Sequence, residues 1–210
     1  MTTPEGLRAR RRRETARDIH LAALGLAREN GFETVTVEAI SKATGIAPRT
    51  FFNYFPTKEA AIVHGPFDLS AADVSHFTTG GAVTYPDLLA ELVDLLAATL
   101  AHDPPSRGEL HAVLAVAQAH PGVLAAMLAQ LEAFQRGVAG LVAARLDVPA
   151  DDETAVFIAA LALTILRTGF DRWAARTPAA AEDGPVADIA RAAALMTTLF
   201  QPERAATHER

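Results

Sequence analysis

Residues 36–59 read TVEAISKATGIAPRTFFNYFPTKE, and most of the architecture follows from the spacing within this stretch. Thr36 is a good N-cap for a short helix running to Ala43, because its hydroxyl can accept from a backbone N–H left unpaired in the first turn. Thr44-Gly45-Ile46 then makes a tight turn, with Gly45 able to take positive φ. A third helix is predicted from Ala47 to Tyr54, with Pro48 acceptable in its first turn. Phe55-Pro56-Thr57 ends it, and Thr57 caps a fourth helix that reaches Gly65-Pro66. Two short helices joined by a glycine turn and braced by a preceding helix are the geometry of a helix-turn-helix that reads DNA.

The third helix divides by face. Phe51, Tyr54 and Phe55 stand at i, i+3 and i+4 and are expected to pack on Ile40, Ile46 and the first helix. Pro48, Arg49, Phe52 and Asn53 form the opposite face. An exposed Phe beside Arg and Asn is hard to explain by solubility alone. In a major groove, Arg can pair with guanine, Asn with adenine, and an apolar ring can touch a thymine methyl.

Around this stretch the chain reads as helix nearly throughout, and no strand alternation or internal repeat is visible. The first helix runs from about Arg10 to Asn30, with Ala16, Ile19, Ala23, Leu26 and Ala27 on one face and Gly31 as its stop. Beyond the fourth helix, segments are predicted at Phe67–Phe77, Pro86–Ala101, Arg107–Ala119, Gly122–Leu146, Asp152–Ala175 and Val186–Phe200, with a Gly-rich loop at Thr78–Thr84. Residues 1–7 and 202–210 are expected to be loose. The fold class is therefore all-α, with about nine helices. A helix-turn-helix head spans residues 1–62 with a basic tail at 1–13. A helical body spans 63–202, and a C-terminal tail spans 203–210.

Half of the 210 residues are hydrophobic and 21% are charged, a globular composition. The absence of Cys excludes disulfides, thiolate metal sites and Cys nucleophiles, and fits a reducing cytoplasm. The longest apolar run, Ala155 to Leu166, falls short of the ~18 residues a bilayer span needs, so no membrane partner is expected. No apolar stretch follows the first arginines, so a signal peptide is not expected either. The net charge of −6 is uneven: residues 1–60 carry +3 and residues 61–210 carry −9. A basic head on an acidic body suggests that the head meets a polyanion. Five of its ten cationic residues lie between Arg8 and Arg13, either as a mobile solvated tail or as a contact to phosphate or the minor groove.

The stretches Thr36-Val37, Ile40 to Ile46 and Thr50 to Glu59 resemble the DNA-binding signature of the TetR family of repressors, over residues 10–62 almost without a gap. The resemblance implies a homodimer with an N-terminal helix-turn-helix and a helical sensing body. It implies that Thr36, Thr50, Tyr54 and Lys58 hold phosphates of a palindromic operator, while Ala47, Pro48, Arg49 and Asn53 face the bases. For Tyr54, core packing stands beside the phosphate role; for Lys58, a solvated helix residue does.

The chain departs from the pattern in three places. Ala47 replaces a Ser/Thr cap, at a cost of roughly 1 kcal/mol unless DNA or Thr44 compensates. Ala39 removes the Glu of a capping box at Thr36. Phe52 replaces a Tyr, so only an apolar contact carries over to it.

In the body, the helices at about 152–175 and 186–200 occupy the places where this family dimerises through a four-helix bundle. His120-Pro121, Leu128 to Glu132, Arg145 to Pro149 and Arg167 to Trp173 resemble C-terminal domains of mycofactocin-type regulators, a group associated with acyl-CoA effectors. Thr164, Arg167, Thr168 and Asp171 form one polar stripe on an otherwise apolar helix. It is either an Arg167–Asp171 pair or an anchor for a ligand head group. Candidate ligand walls are Phe77, Leu92, His111, Leu114 and Met127, then Leu131, Phe134, Phe157 and Phe170, with Arg167 as the anchor; each apolar one can equally be plain core. Gly65-Pro66 is a candidate pivot or an ordinary helix end.

No metal site, cofactor or catalytic residue is expected. The seven His are scattered, and neither a Gly-rich phosphate loop nor a nucleophile elbow is present. The expected function is a cytoplasmic, ligand-responsive transcriptional repressor, released from its operator by a small hydrophobic effector, with acyl-CoA one candidate. The alternative is a helical carrier of acyl chains or lipids with a non-functional DNA head.

Overall fold

A computed structural model describes residues 4–64, 69–81, 83–102, 104–176 and 184–200. The described residues form ten α-helices and one short 3-10 turn, Phe32–Thr34. The helices are α1 Pro4–Asn30, α2 Val37–Thr44, α3 Pro48–Phe51, α4 Lys58–Ile62, α5 Ala71–Thr78, α6 Tyr85–His102, α7 Arg107–Ala119, α8 Pro121–Leu146, α9 Glu153–Ala175 and α10 Val186–Phe200. The architecture is all-helical, as the sequence implies.

The helix ends follow local chemistry. Gly31 takes φ +82 and its N–H donates to the Ala27 carbonyl, which stops α1. The hydroxyl oxygens of Thr36 and Thr57 accept from the N–H of Ala39 and Ala60, at 3.1 and 3.2 Å, and start α2 and α4. Gly45 takes φ +69, the left-handed conformation the turn requires. Ser106 and Glu109 close a capping box on α7, and the Asp152 carboxylate accepts from Thr154 and Ala155 at the head of α9.

Three boundaries correct the sequence reading. The N-terminus is not loose from residue 4: α1 begins at Pro4 and carries Arg8 to Arg13 as helix. Proline suits a first turn, arginine is a good helix former, and Arg10 pairs with Glu14 one turn on at 2.7 Å. The third helix is only Pro48–Phe51. Asn53 and Tyr54 donate to Thr50 and Phe51 three residues back, tightening the turn, and Pro56 keeps Phe55 out of the α region. Helix α5 begins at Ala71, where the Ser70 hydroxyl accepts from the Asp73 N–H. The candidate pivot Gly65-Pro66, Phe67 and the C-terminal tail 203–210 lie outside the described residues.

The chain divides into two compact units. One comprises described residues up to 64 with Ser106–Glu132; the other comprises Leu69–Pro105 with the described residues from Ala133 onward. The first is built around Ile19, Ala23, Ile40, Phe51, Phe55 and Ile62, with Ala117 of α7 and Val123 of α8. In the second, α9 packs on α6 and α10. Gly169 allows that approach, since a Cβ there would stand 2.5 Å from the Ile189 Cα. Asp188, 1% exposed, pairs with Arg176 at 2.9 Å and Arg191 at 2.8 Å, tying the end of α9 to the first turn of α10. The Arg145 side chain, also nearly buried, donates to the Phe77 carbonyl and pairs with Glu91 at 3.1 Å.

At 23 residues, with a mean hydropathy of 1.5 over its best 18-residue window, α9 is long and apolar enough to cross a bilayer by length and composition. Counting uninterrupted apolar residues misses this, because a stretch broken by Thr164 and Arg167 still averages as apolar. Eight of its residues, from Ala155 to Trp173, are nevertheless buried within the protein, as in a core helix.

Candidate nucleic-acid interface

The surface of interest begins with Phe51, whose side chain has no solvent exposure. Its ring meets Phe52 edge-on at 5.4 Å and Phe55 at 6.0 Å. With Phe51 and Phe55 driven inward, α3 and the turn after it present Pro48, Arg49, Phe52 and Asn53 to solvent. Phe52 stands 56% exposed, a large apolar ring in water between two polar side chains. The split of faces is the one the spacing requires, although only its first half is α-helix. Ala47 and Thr36 are also exposed, and Thr50 is half-buried.

No side chain caps α3 at Ala47. Thr44 does not compensate; its hydroxyl donates within its own helix, to the Ile40 and Ser41 carbonyls. The helix is held instead by the backbone, with the Thr50 N–H on the Ala47 carbonyl at 2.8 Å and Pro48 at the first position, where it lacks only a donor that would be unpaired.

Tyr54 is half-buried, and the Arg12 guanidinium lies over its ring, 5.2 Å from the centroid. The same guanidinium donates to the Asn53 carbonyl at 3.1 Å. Neither contact between α1 and the turn after α3 is legible in the sequence, since about 40 residues separate the partners. Lys58 is engaged within the protein. Its Nζ donates to the carbonyls of Phe32 at 3.2 Å and Val35 at 2.9 Å, and lies 4.4 Å from the Phe32 ring centre. The other face of this hub is His120, whose ring packs on Phe32 at 4.9 Å and whose Nδ1 is 2.9 Å from the Glu33 carboxylate. His120-Pro121 is visible as a motif in the sequence, but its contact with residues 32 and 33 is not.

The candidate ligand walls do not assemble as one group. His111, Leu114, Met127 and Leu131 belong to the first unit, and Phe77, Leu92, Phe134, Phe157, Arg167 and Phe170 to the second. Leu92 and Phe77 are buried, while Met127, Phe134 and Phe170 are half-buried. Leu114, Leu131 and Phe157 are exposed at 37%, 52% and 64%, which corrects the reading of them as core. An amphipathic count cannot tell a face packed within one chain from one left for another surface. Arg167 is exposed and paired with Asp171 at 3.7 Å, so in a single chain the polar stripe looks outward as an ion pair. Within the first unit, an open concavity of about 530 Å³ lies between the end of α1 and α7, lined by Arg28, Phe32, Ala112, Val116 and His120 among others. His111 is the one wall candidate that lines it. Among the described residues, no group of three His, Asp or Glu side chains could hold a metal ion.

Residues 19–62 match the profile described as "Bacterial regulatory proteins, tetR family", and residues 102–206 match the "MftR C-terminal domain". The HTH-type transcriptional regulator TcmR of Streptomyces glaucescens is 31% identical over 160 residues, covering 72% of this chain and 70% of that protein. The chain belongs to the TetR family. As a TetR-family member it is a DNA-binding transcriptional regulator, and the family is regulatory, not enzymatic. Solved structures with a similar course include Salmonella enterica GusR, at 21% identity and TM-score 0.44, with 89% of this chain and 95% of that one covered. Another is FadR of Bacillus subtilis in complex with stearoyl-CoA, at 16% identity and TM-score 0.45, with 88% and 98% covered. The TetR signature falls on the segment whose outward face is Pro48, Arg49, Phe52 and Asn53.

Proposed function

We propose that the chain is a cytoplasmic homodimeric repressor that reads a palindromic operator through residues 1–62 and senses a hydrophobic effector, of the acyl-CoA class, through residues 63–202. The observation that carries the reading is the outward face of the third helix. A Phe 56% exposed between Arg49 and Asn53, backed by a fully buried Phe51, fits a major groove better than it fits water. Arg49 and Asn53 read base edges, Phe52 touches a thymine methyl, and Ala47 and Pro48 lie close to the bases. Thr36, Thr50 and Tyr54 position the head on phosphates. Lys58 joins them only with its remaining ammonium donor, because two of three are directed at the carbonyls of Phe32 and Val35.

Dimerisation through α9 and α10 is supported by what those helices leave in water. Val156 and Phe157 of α9 and Leu195 and Leu199 of α10 are exposed, Leu199 at 70%. Burying the exposed remainder of such side chains favours association, each by less than the about 1.5–3 kcal/mol of a side chain taken from full exposure. Two heads held by such a pairing would meet half-sites about one DNA turn, ~34–36 Å, apart. The acyl-CoA class rests on the C-terminal resemblance. An effector that binds better to a dimer whose heads no longer match that spacing releases the operator, and the coupling is reciprocal.

Replacing Arg49 tests the base-reading assignment. Arg49→Ala is expected to weaken the operator complex by ~1–3 kcal/mol and relax specificity at one base position. Scrambled DNA of equal length should be affected far less. Equal losses on both duplexes in a competition titration would reduce Arg49 to a phosphate contact and remove the main support for the reading.

A further inference from the structure

We propose that the N-terminal overhang of α1 is a second DNA-gripping surface, in which Arg12 braces the reading segment and Arg8 holds the sugar–phosphate backbone beside it. The inference rests on the operator-binding reading above and extends it to residues outside the helix-turn-helix.

The helical pitch of α1 carries the first step. Successive residues turn by about 100°, so Arg8, Arg12, Thr15 and Ile19 fall on one stripe. Deeper in the protein that stripe is core: Ile19 is fully buried and Ala23 beside it likewise. Toward the N-terminus the same stripe runs past the end of the core and carries arginine. Its direction is set by Arg12, which donates to the Asn53 carbonyl at 3.1 Å and lies over the Tyr54 ring. The stripe therefore looks toward the end of the segment that presents Arg49, Phe52 and Asn53. Arg8 stands one helical turn farther out, about 5–6 Å along the axis, and is exposed.

The arginines of the run are not equivalent. Arg10 lies on the opposite side of the helix and is paired with Glu14 at 2.7 Å. Arg12 is held by carbonyl and ring. Arg8 shares the orientation of Arg12; one turn on stands Arg12 itself, and Glu5 precedes Arg8 by three positions. Placing two guanidinium groups on one stripe costs self-repulsion, which a polyanion relieves. The matching chemistry is a row of phosphates. Guanidinium forks bind phosphate oxygens in pairs, and the Arg12 brace orders the helix before DNA arrives. Such contacts add affinity and register without adding sequence preference.

The test uses the full-length protein and two labelled duplexes. One is selected from a random pool by the wild-type protein, and the other is a scramble of the same composition. Anisotropy titrations between about 50 and 200 mM salt give the slope of log affinity against log salt, whose magnitude falls by ~0.9 for each phosphate that is no longer neutralised. Arg8→Ala is expected to flatten the slope by ~0.9 per protomer, ~1.8 for a dimer, on both duplexes alike. Arg8→Lys should retain most of the slope, and Arg10→Ala should leave it near the wild-type value. An unchanged slope for Arg8→Ala overturns the inference, and so does an equal flattening by Arg10→Ala, which would mean diffuse charge and no placed contact. If the wild-type protein enriches no duplex at all, the operator-binding reading itself falls and takes this one with it, an outcome distinct from a normal wild-type slope that Arg8→Ala fails to change.

Discussion

Phe51→Ala is expected to destabilise the first unit by about 3–5 kcal/mol, the range for removing a fully buried aromatic side chain. Among the described residues, Phe51 is the largest side chain with no solvent exposure, and it sits among Ile19, Ile40, Phe55 and Ile62. The remaining stabilisation of the third helix is thin: four residues, no side-chain cap, and a turn tightened before Pro56. Removing the ring therefore frees the segment that carries Arg49 and Asn53, and DNA binding should disappear with it. Phe52→Ala, one position on, should cost far less, about 0.5–1.5 kcal/mol for its edge-on contact with Phe51, because more than half of its surface is exposed, yet it should still weaken operator binding. Urea titration of both variants, read beside their DNA affinity, separates a packing role from a recognition role. Equal destabilisation by the two would mean that the faces of the third helix are assigned wrongly.

The second large effect is expected at Gly169, and its sign opposes intuition. Glycine inside a helix ordinarily costs about 0.5–1 kcal/mol relative to alanine, so Gly→Ala should stabilise. In the middle of α9, however, a Cβ would stand 2.5 Å from the Ile189 Cα and 2.6 Å from its backbone N. Backbone cannot yield as a side-chain tip can, so α10 must move away from α9. Overpacking of this kind costs typically about 1–3 kcal/mol and occasionally more. Gly169→Ala is thus expected to lower the stability of the second unit, and to loosen a dimer built on α9 and α10. Gly137→Ala in α8 is the control, because its Cβ would meet nothing within 4 Å, and it should stabilise by up to about 1 kcal/mol. Thermal melts and sedimentation of the two variants check both statements. A Gly169→Ala protein as stable as Gly137→Ala would contradict the close helix crossing.

The contrast between these residues indicates what can be read from a one-dimensional sequence. Caps, turn glycines and helical faces are local, and they placed Thr36, Gly45, Thr57 and the Phe51/Phe52 division correctly. The resemblance at residues 36–59 then made the head recognisable as a family member. Less local features were not visible. That α1 extends to Pro4 depends on arginine being a good helix former and on the Arg10–Glu14 pair, neither of which outweighed the expectation of a frayed basic tail. The third helix ends early because consecutive i→i+3 bonds and Pro56 act together. The Lys58 contacts to Phe32 and Val35 join residues more than twenty positions apart, and no periodicity reports such a contact.

The body was the least legible part. Bulk and central position selected Leu131 and Phe157 as wall or core, and both are exposed. The same 3.6-residue pattern serves an internal core, a ligand chamber and a subunit interface, so hydrophobicity alone does not choose between them. Arg167 and Asp171 illustrate the point from the polar side. Their spacing allowed an ion pair or a ligand anchor, and the pair is present, yet spacing carries no information on what the exposed stripe meets in a dimer.

Operator release by effector is tested most directly by fluorescence anisotropy of the purified protein on the DNA flanking its own gene, at fixed salt, with and without a long-chain acyl-CoA. The expected result is tight binding to that duplex, far above binding to a scrambled one, and its loss as the acyl-CoA is added. Tight binding that the acyl-CoA leaves untouched would contradict the effector class. Acyl-CoA binding by a protein with no preference for any duplex would contradict the operator-binding reading itself and favour a carrier of acyl chains.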